Sequence, residues 1–285
     1  RPAPIQVSYL GFLGSTGADY IDYIIADKVV VPPNHTTHYS EKVVYMPHCY
    51  QANDNQQIIS KGSFDRRDFN LPADGFVYCC FNQPYKIDSQ LFSVWMNILK
   101  SVDGSVLWLI KSSALARKNL THAAEKAGVN PARLVFAGFV ALEDNLARLK
   151  LADLVLDTWQ YNGGATTSNA LWSGVPVLTV QGNHWVSRMT ASALNAIGIP
   201  ELIAPSRATY QKMAVDMALH PDQLNALRRK LAQQRLKGPL FDTQLFTEHL
   251  EKAYQVMWTR YISGMNPVSF TVRALSSHSN GKPKQ

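Results

Sequence analysis

Long hydrophobic runs are absent from this sequence of 285 residues. No apolar stretch approaches the roughly 18 residues that a membrane-spanning helix requires, so we expect no membrane partner. The opening residues, RPAPIQVSYLGFLG, also lack the apolar segment and the small-residue cleavage site of a signal peptide. We therefore expect a cytoplasmic globular protein of one large domain or two moderate ones.

Cysteine is scarce, and the common catalytic motifs are missing. The three cysteines, Cys49, Cys79 and Cys80, show no CxxC or Cys/His spacing of the kind that binds zinc. We interpret them as reduced, mostly structural thiols. The sequence also contains no HExxH, Walker loop, GxGxxG or Ser-His-Asp order. We therefore expect no metal and no cofactor, and a dinucleotide-dependent oxidoreductase is disfavoured.

Acidic residues are fewer than basic residues in this sequence. The chain has 28 Lys and Arg against 21 Asp and Glu, a formal net charge of +7. Part of this excess lies in the last residues, where Arg273, Lys282 and Lys284 have no acidic neighbour. No run of Lys and Arg interleaved with aromatic residues appears, so we expect no nucleic-acid partner. The balance suits a small anionic ligand such as a nucleotide.

Regular alternation of strands and helices begins at Gly75 and indicates an α/β fold. The predicted strands are residues 76–82, 105–111, 134–139, 154–158 and 175–180, and the predicted helices between them are 89–99, 114–127, 143–150 and 166–172. Such alternation is typical of a parallel sheet with right-handed crossovers, whose ligands bind beyond the carboxyl ends of the strands. We assign residues 71–264 to this Rossmann-like domain.

The two ends of the chain are less regular. Within residues 1–70, IDYIIAD reads as a buried strand without enough neighbours for a sheet, so we interpret this segment as the incomplete end of a preceding domain. The helix predicted near residues 243–262 has an apolar stripe that could pack on a second domain. Its members are Phe246, Leu250, Tyr254, Met257 and Tyr261. Residues 265–285 are predicted to be a disordered polar tail.

The stretch from Asp157 to Thr179 is the clearest candidate for a ligand site. A strand leads into the turn Tyr161-Asn162-Gly163-Gly164, and a helix is expected to start near Thr166. A helix start offers unpaired N–H groups and partial positive charge to an anion, and glycine permits close approach of a phosphate. Thr166, Thr167 and Ser168 add hydroxyls or provide the helix cap. The alternative is an ordinary helix cap with no ligand.

Other candidates lie beside predicted strand ends or in turns. Gln83 and Lys86 follow a strand and could contact a phosphate, although a solvated loop lysine is the alternative. His48 could serve as an acid or base, or as a structural histidine. Arg148 is expected to be an exposed residue of its helix. Asp157 could act as a base or hold a turn.

Five segments carry a resemblance to a known family. They are QVSYLGFLGSTGADYIDYIIAD, YSEKVVYMPH, FNQPYKID, LADLVLDT with NGGATTSNALWSGVPVLT, and SRMTASAL. In this order, from about Gln6 to Gly264, they resemble the catalytic region of the protein O-GlcNAc transferases, including the SPINDLY-related type. The resemblance implies an inverting glycosyltransferase of the GT-B type, with a sugar nucleotide between two Rossmann-like domains. It also implies upstream tetratricopeptide repeats that select protein substrates.

The resemblance also implies roles for individual residues. Residues 1–70 would end an N-terminal catalytic domain present only in part, and a family histidine would precede Arg1. Gln83 and Lys86 would hold the donor diphosphate, with Lys86 stabilising the departing nucleotide. The remaining implied site residues are Gly164, Thr166 and Thr167 at the diphosphate, Asn169 near the ribose, Arg148 near the base, and His48 in the sugar and acceptor region.

Three positions depart from the family pattern. Many members have a histidine before the threonines where this chain has Gly164, an aspartate at Asn169, and a histidine at Asn145. The expected activity is metal-independent transfer of GlcNAc from UDP-GlcNAc to serine or threonine of an acceptor protein or peptide. Alternatives are another donor, GDP-fucose or UDP-glucose, or a degenerate nucleotide-binding module without turnover. The fragment alone is expected to be inactive.

Overall fold

The computed structural model describes residues 1–275 and contains two parallel β-sheets. The strands are β1 (Val7–Ser8), β2 (Tyr23–Asp27), β3 (Lys42–Met46), β4 (Val77–Cys80), β5 (Val106–Ile110), β6 (Leu134–Ala137), β7 (Leu154–Leu156), β8 (Val177–Val180), β9 (Ile203–Ala204) and β10 (Phe270–Thr271). The helices are α1 (Ser89–Ser101), α2 (Ala114–Lys126), α3 (Leu142–Leu149), α4 (Ala165–Trp172), α5 (Met189–Ala196), α6 (Arg207–Leu219), α7 (Pro221–Lys237) and α8 (Thr243–Ile262). Among residues 1–275, no helix combines the length and apolar character needed to cross a membrane.

The larger sheet determines where a ligand site can form. Its strand order is β6-β5-β4-β7-β8-β9, and all neighbouring strands are parallel. The chain moves outward from β4 to β6 and then returns to add β7 on the other side of β4. A parallel sheet opens a crevice where its strand order reverses, here at the carboxyl ends of β4 and β7. The predicted α/β fold with a Rossmann-like parallel sheet and flanking helices is confirmed.

Burial of the central strands explains their sequence. Strands β4 and β5 are buried along their whole length because helices cover both faces of the sheet. Helix α1 directs Leu91, Trp95 and Ile98 into this core, at the spacing that the sequence indicates. Asp88 begins the helix by accepting a hydrogen bond from the Leu91 N–H at 2.8 Å.

The last helix returns to the smaller sheet, whose order is β1-β2-β3-β10. The expectation that the strand in IDYIIAD lacks neighbours is wrong, because β2 pairs with β1 and with β3. Helix α8 packs Ala253 and Met257 against β2 and β3, two strands that lie within residues 1–70. The predicted stripe is correct only in part, because Tyr254 and Tyr261 are exposed. At 3.6 residues per turn, Ala253 rather than Tyr254 continues the face of Phe246 and Leu250.

The tail prediction is wrong for residues 265–275, and residues 276–285 lie outside the described part of the chain. Strand β10 pairs with β3 through Phe270 and Thr271. Val272 is buried and donates its N–H to the Tyr45 carbonyl at 3.0 Å. The edge of the sheet at β3 would otherwise present unpaired backbone groups, and this segment satisfies them. Its apolar residues Val268, Phe270 and Val272 alternate as they do in a strand.

Candidate functional site

The crevice between β4 and β7 is closed at its base by a buried polar link. Asn82, just after β4, donates from Nδ2 to Asp157 Oδ1 at 3.1 Å and to Thr158 Oγ1 at 2.8 Å. All three side chains are buried. The link ties together the carboxyl ends of two strands that neighbour each other only because the strand order reverses there.

Asp157 holds the glycine turn in shape. Its carboxylate accepts hydrogen bonds from the Gly163 N–H and from Thr179 Oγ1, each at 2.8 Å. Burial raises the pKa of Asp157, and these donors oppose the rise. The side chain is only 2% exposed. Of the two roles considered from sequence, its surroundings favour the turn over the base.

Helix α4 begins at Ala165, one residue earlier than expected. Gly164 is the N-cap and supplies no side-chain cap, so none of Thr166, Thr167 and Ser168 caps the helix. Thr166 Oγ1 donates to Asn82 Oδ1, and Thr167 Oγ1 donates to the Gly163 carbonyl at 3.1 Å. The threonine hydroxyls therefore brace the turn, and the uncapped helix start remains suited to an anion.

Lys86 reaches this turn from the other strand end. Its Nζ donates to the Asn162 carbonyl at 2.8 Å and lies 3.8 Å from the centroid of the Tyr161 ring. Burial lowers the pKa of Lys86, and the charge of Asp157 opposes this change. Gln83 precedes a short helical turn, Pro84–Lys86, and is exposed at the mouth. The glycine turn of residues 161–164 and the start of α4 form a cradle for an anion. Lys86 and this cradle come together because both follow the carboxyl ends of neighbouring parallel strands.

A narrow cleft runs from this turn toward α3. Its lining includes Asn82, Asn145, Thr166, Thr167 and Asn169. Two of the positions that depart from the family pattern, Asn145 and Asn169, therefore face the same space as the threonines. Within residues 1–275, no three His, Cys, Asp or Glu side chains gather as a metal site would need.

Arg148 is buried, so the expectation of an exposed side chain is wrong. It is 1% exposed and donates to the Gly138 carbonyl at 2.6 Å and to Asn145 Oδ1 at 2.8 Å. Its guanidinium lies 5.0 Å from the centroid of the Phe81 ring. A planar guanidinium can enter a core when carbonyls take its donors and aromatic faces cover it. Arg148 borders the cleft through Asn145.

His48 lies apart from the cleft-lining residues. Its ring centroid is 5.6 Å from that of His249 on α8, and burial lowers its pKa. Three residues later, Gln51 Nε2 donates to Ser168 Oγ of α4 at 2.9 Å. The segment after β3 thus contacts the cradle helix, while the His48 imidazole contacts the helix that closes the smaller sheet.

The pair of histidines predicts a pH-dependent stability. His249 Nε2 accepts the Leu275 N–H at 3.0 Å, which a protonated ring cannot do. Burial and the neighbouring His48 lower the pKa of His249, while Glu248 and Asp242 oppose this. A lowered folded-state pKa means that stability present above the unfolded value of about 6.5 is lost as the pH falls. We expect a lower melting temperature at pH 5.5 than at pH 7.5.

The matched variant for this effect is His249→Gln, whose amide oxygen keeps an acceptor for Leu275 but does not titrate. The drop in melting temperature between the two pH values should be smaller in this variant. Differential scanning calorimetry of both proteins measures it. Equal drops would assign the pH dependence to other groups, with His48 and the carboxylates first among them.

Sequence reasoning gave no role to Asn82, Asn162 or Gln51, although all three shape the cradle. Asn82 could have been recognised from the sequence, because it is the polar residue that ends the apolar run FVYCCF. Arg188 donates to the carbonyls of Val29 and Gly182. Its donors connect the residues after β2 to the loop after β8.

Comparison with known proteins identifies the family. Residues 1–64 and 61–250 match the model of glycosyl transferase family 41. A probable UDP-N-acetylglucosamine–peptide N-acetylglucosaminyltransferase SEC of Arabidopsis thaliana is 40% identical over 278 residues, covering 95% of this chain and 28% of the relative. The SPINDLY relative of Petunia hybrida is 32% identical, covering 94% of this chain and 29% of its own.

Among solved structures, a mutant O-GlcNAc transferase of Thermobaculum terrenum superposes with a TM-score of 0.84 at 29% identity. The match covers 93% of this chain and 50% of that one. The chain therefore spans less than a third of the two plant relatives and half of the solved enzyme. The resemblance to the O-GlcNAc transferases and the GT-B fold class that it implied are confirmed, and the chain belongs to glycosyl transferase family 41.

Proposed function

We propose that this chain is part of a protein glycosyltransferase that moves GlcNAc from UDP-GlcNAc to serine or threonine of an acceptor protein. The observation that carries the proposal is the meeting of Lys86 with the glycine turn and the uncapped start of α4 at the strand-order reversal. The names of the plant relatives, each given as a probable UDP-N-acetylglucosamine–peptide N-acetylglucosaminyltransferase, support the donor and the acceptor class.

The proposed chemistry is an inverting displacement. The acceptor hydroxyl oxygen bonds to the anomeric carbon while the bond from that carbon to the diphosphate oxygen breaks. The electron pair stays on UDP, and the acceptor proton goes to a base. The Lys86 ammonium and the α4 dipole would stabilise the charge that develops on the diphosphate, with Gln83 as a further hydrogen-bonding group.

Other assignments follow the same proposal. Gly164, Thr166 and Thr167 would border the diphosphate, Asn169 the ribose and Asn145 the base, which Arg148 would approach through its contact with Asn145. His48 would lie on the acceptor side, where its lowered pKa favours a neutral imidazole that can accept a proton. We propose a cytoplasmic, metal-independent enzyme. Addition of a chelator should leave transfer unchanged.

Two alternatives keep the same site. Asn145 and Asn169 line the cleft where many family members carry histidine and aspartate, which favours testing GDP-fucose and UDP-glucose as donors. A degenerate module would bind a nucleotide or a partner without turnover. Donor competition separates the first alternative from the leading one, and the second predicts no transfer by the full-length gene product.

The test is calorimetric titration of this chain with UDP and, separately, with GDP. UDP should bind, and Lys86→Ala should weaken it about tenfold or more, as expected for loss of a charge-assisted hydrogen bond. Lys118→Ala, which removes an exposed lysine of α2, is the matched control and should bind as the wild type does. Preference for GDP would redirect the donor toward fucose, and no binding of either nucleotide by folded protein would contradict donor recognition by this chain.

A further inference from the structure

Lys86 is held by the first two residues of the glycine turn, Tyr161 and Asn162. Its ammonium contacts the Asn162 carbonyl on one side and the Tyr161 ring on another. Tyr161 in turn makes an edge contact with Tyr85, with ring centroids 6.2 Å apart. The long side chain, half buried and bearing a charge, is therefore held at two points near the start of α4.

The backbone of Tyr161 and Asn162 is anchored to the core by hydrogen bonds. Asn162 donates its N–H to the Val186 carbonyl at 2.8 Å, and its side chain donates to the Thr158 carbonyl at 2.7 Å. The Tyr161 carbonyl accepts from Thr158 Oγ1. The ring and the carbonyl that meet Lys86 are thus fixed in the same frame as Asp157 and the cradle.

We propose that Tyr161 is a positioning residue that holds the Lys86 ammonium ready for the donor diphosphate. The inference rests on the proposed function and deepens it. A lysine ammonium has three N–H donors, of which the Asn162 carbonyl takes one. An aromatic face attracts the charge without supplying a strong oxygen acceptor. The ring therefore restrains Lys86 and leaves donors available to phosphate oxygens.

Restraint of the Lys86 side chain before the diphosphate binds lowers the entropic cost of binding. A free lysine side chain must give up its rotamer freedom when it meets an anion, and a restrained one has already done so. The contact is separate from core packing, since Tyr161 is 37% exposed and Tyr85 is 75% exposed. Loss of the ring should therefore spare the fold while releasing the ammonium.

A double-mutant cycle tests the role. Tyr161→Leu should weaken UDP binding about fivefold, the order expected for a partly exposed cation–π contact, and Tyr161→Phe should restore it. In the Lys86→Ala background, Tyr161→Leu should cause no further loss. Calorimetry with UDP measures all five proteins, with thermal unfolding to verify that each is folded. Unchanged or tighter UDP binding by Tyr161→Leu, or an equal loss without Lys86, would overturn the inference.

The contact itself is measured without nucleotide. In a ¹H–¹³C NMR spectrum, the Lys86 ε-methylene protons should be shifted upfield by the Tyr161 ring, with the signal assigned through its loss in Lys86→Ala. The shift should persist in Tyr161→Phe and vanish in Tyr161→Leu. An upfield shift of the Lys86 ε-methylene protons that persists in Tyr161→Leu would contradict the positioning role. Failure of the wild type to bind UDP while the shift is present would contradict the proposed function instead.

Discussion

Replacement of Asp157 by alanine is expected to lower the free energy of unfolding by about 3–5 kcal/mol, because it leaves several buried donors without an acceptor. The donors are the Gly163 N–H, Asn82 Nδ2 and Thr179 Oγ1. The carboxylate is the common partner of the β4 end, the β8 strand and the cradle turn. Chemical denaturation of both proteins, followed by circular dichroism, measures the difference.

The matched variant is Asp157→Asn, which keeps the size and an acceptor oxygen. Because burial raises the pKa of Asp157, the native charge is costly in this site, and a neutral amide avoids that cost. We expect Asp157→Asn to remain within about 1–2 kcal/mol of the wild type. If the alanine and asparagine variants lose equal stability, the hydrogen-bond role of this side chain is incorrect.

Replacement of Gly163 by alanine is the second change with a large expected effect. A Cβ atom there would lie 2.5 Å from Thr166 Oγ1, 2.6 Å from Thr167 Oγ1 and 3.0 Å from Asn82 Oδ1. These atoms are hydrogen-bonded to one another or to the turn and cannot move independently. Overpacking of this kind costs about 1–3 kcal/mol, and the distorted cradle should bind UDP at least about tenfold more weakly.

Gly164→Ala is the control at the adjacent position. A Cβ there would meet only Gln51 Oε1, at an ordinary 3.7 Å, and Gly164 has a negative φ of −100°. Its effect on unfolding should therefore be clearly smaller than that of Gly163→Ala. Thermal unfolding and UDP titration of the two variants provide the comparison. Similar losses in both would point to backbone freedom, rather than the contacts of Gly163, as the cause.

Much of the larger domain follows from local sequence signals. The strands β4 to β8 and the helices between them lie within a few residues of the predicted ranges. Continuous apolar runs indicate strands buried on both faces, and helical periodicity indicates helices, and both patterns are local in the sequence. The association of Lys86 with the glycine turn was also predictable, since both follow parallel strands and therefore share one edge of the sheet.

The wrong predictions for Arg148 and for residues 265–275 share a cause, because in both the deciding contacts come from distant parts of the chain. Arg148 lies on a short helix whose sequence permits either exposure or burial, and the aromatic rings that cover it come from β5 and the end of β4. Residues 265–275 contain the alternating apolar residues Val268, Phe270 and Val272, but their short strand is ordered by pairing with the edge of β3, more than 200 residues earlier. Neither partner is visible in the local sequence.

The sequence by itself determined the class of fold, the family, the glycine turn and a lysine on the same rim, because these depend on periodicity, residue type and short motifs. Tertiary structure decided that Asn82 meets Asp157 across 75 residues and that Lys86 meets Asn162 across 76. Such contacts depend on the strand order of the larger sheet. A polar or charged side chain acquires its role from the groups that folding places around it, and those groups come from distant parts of the chain.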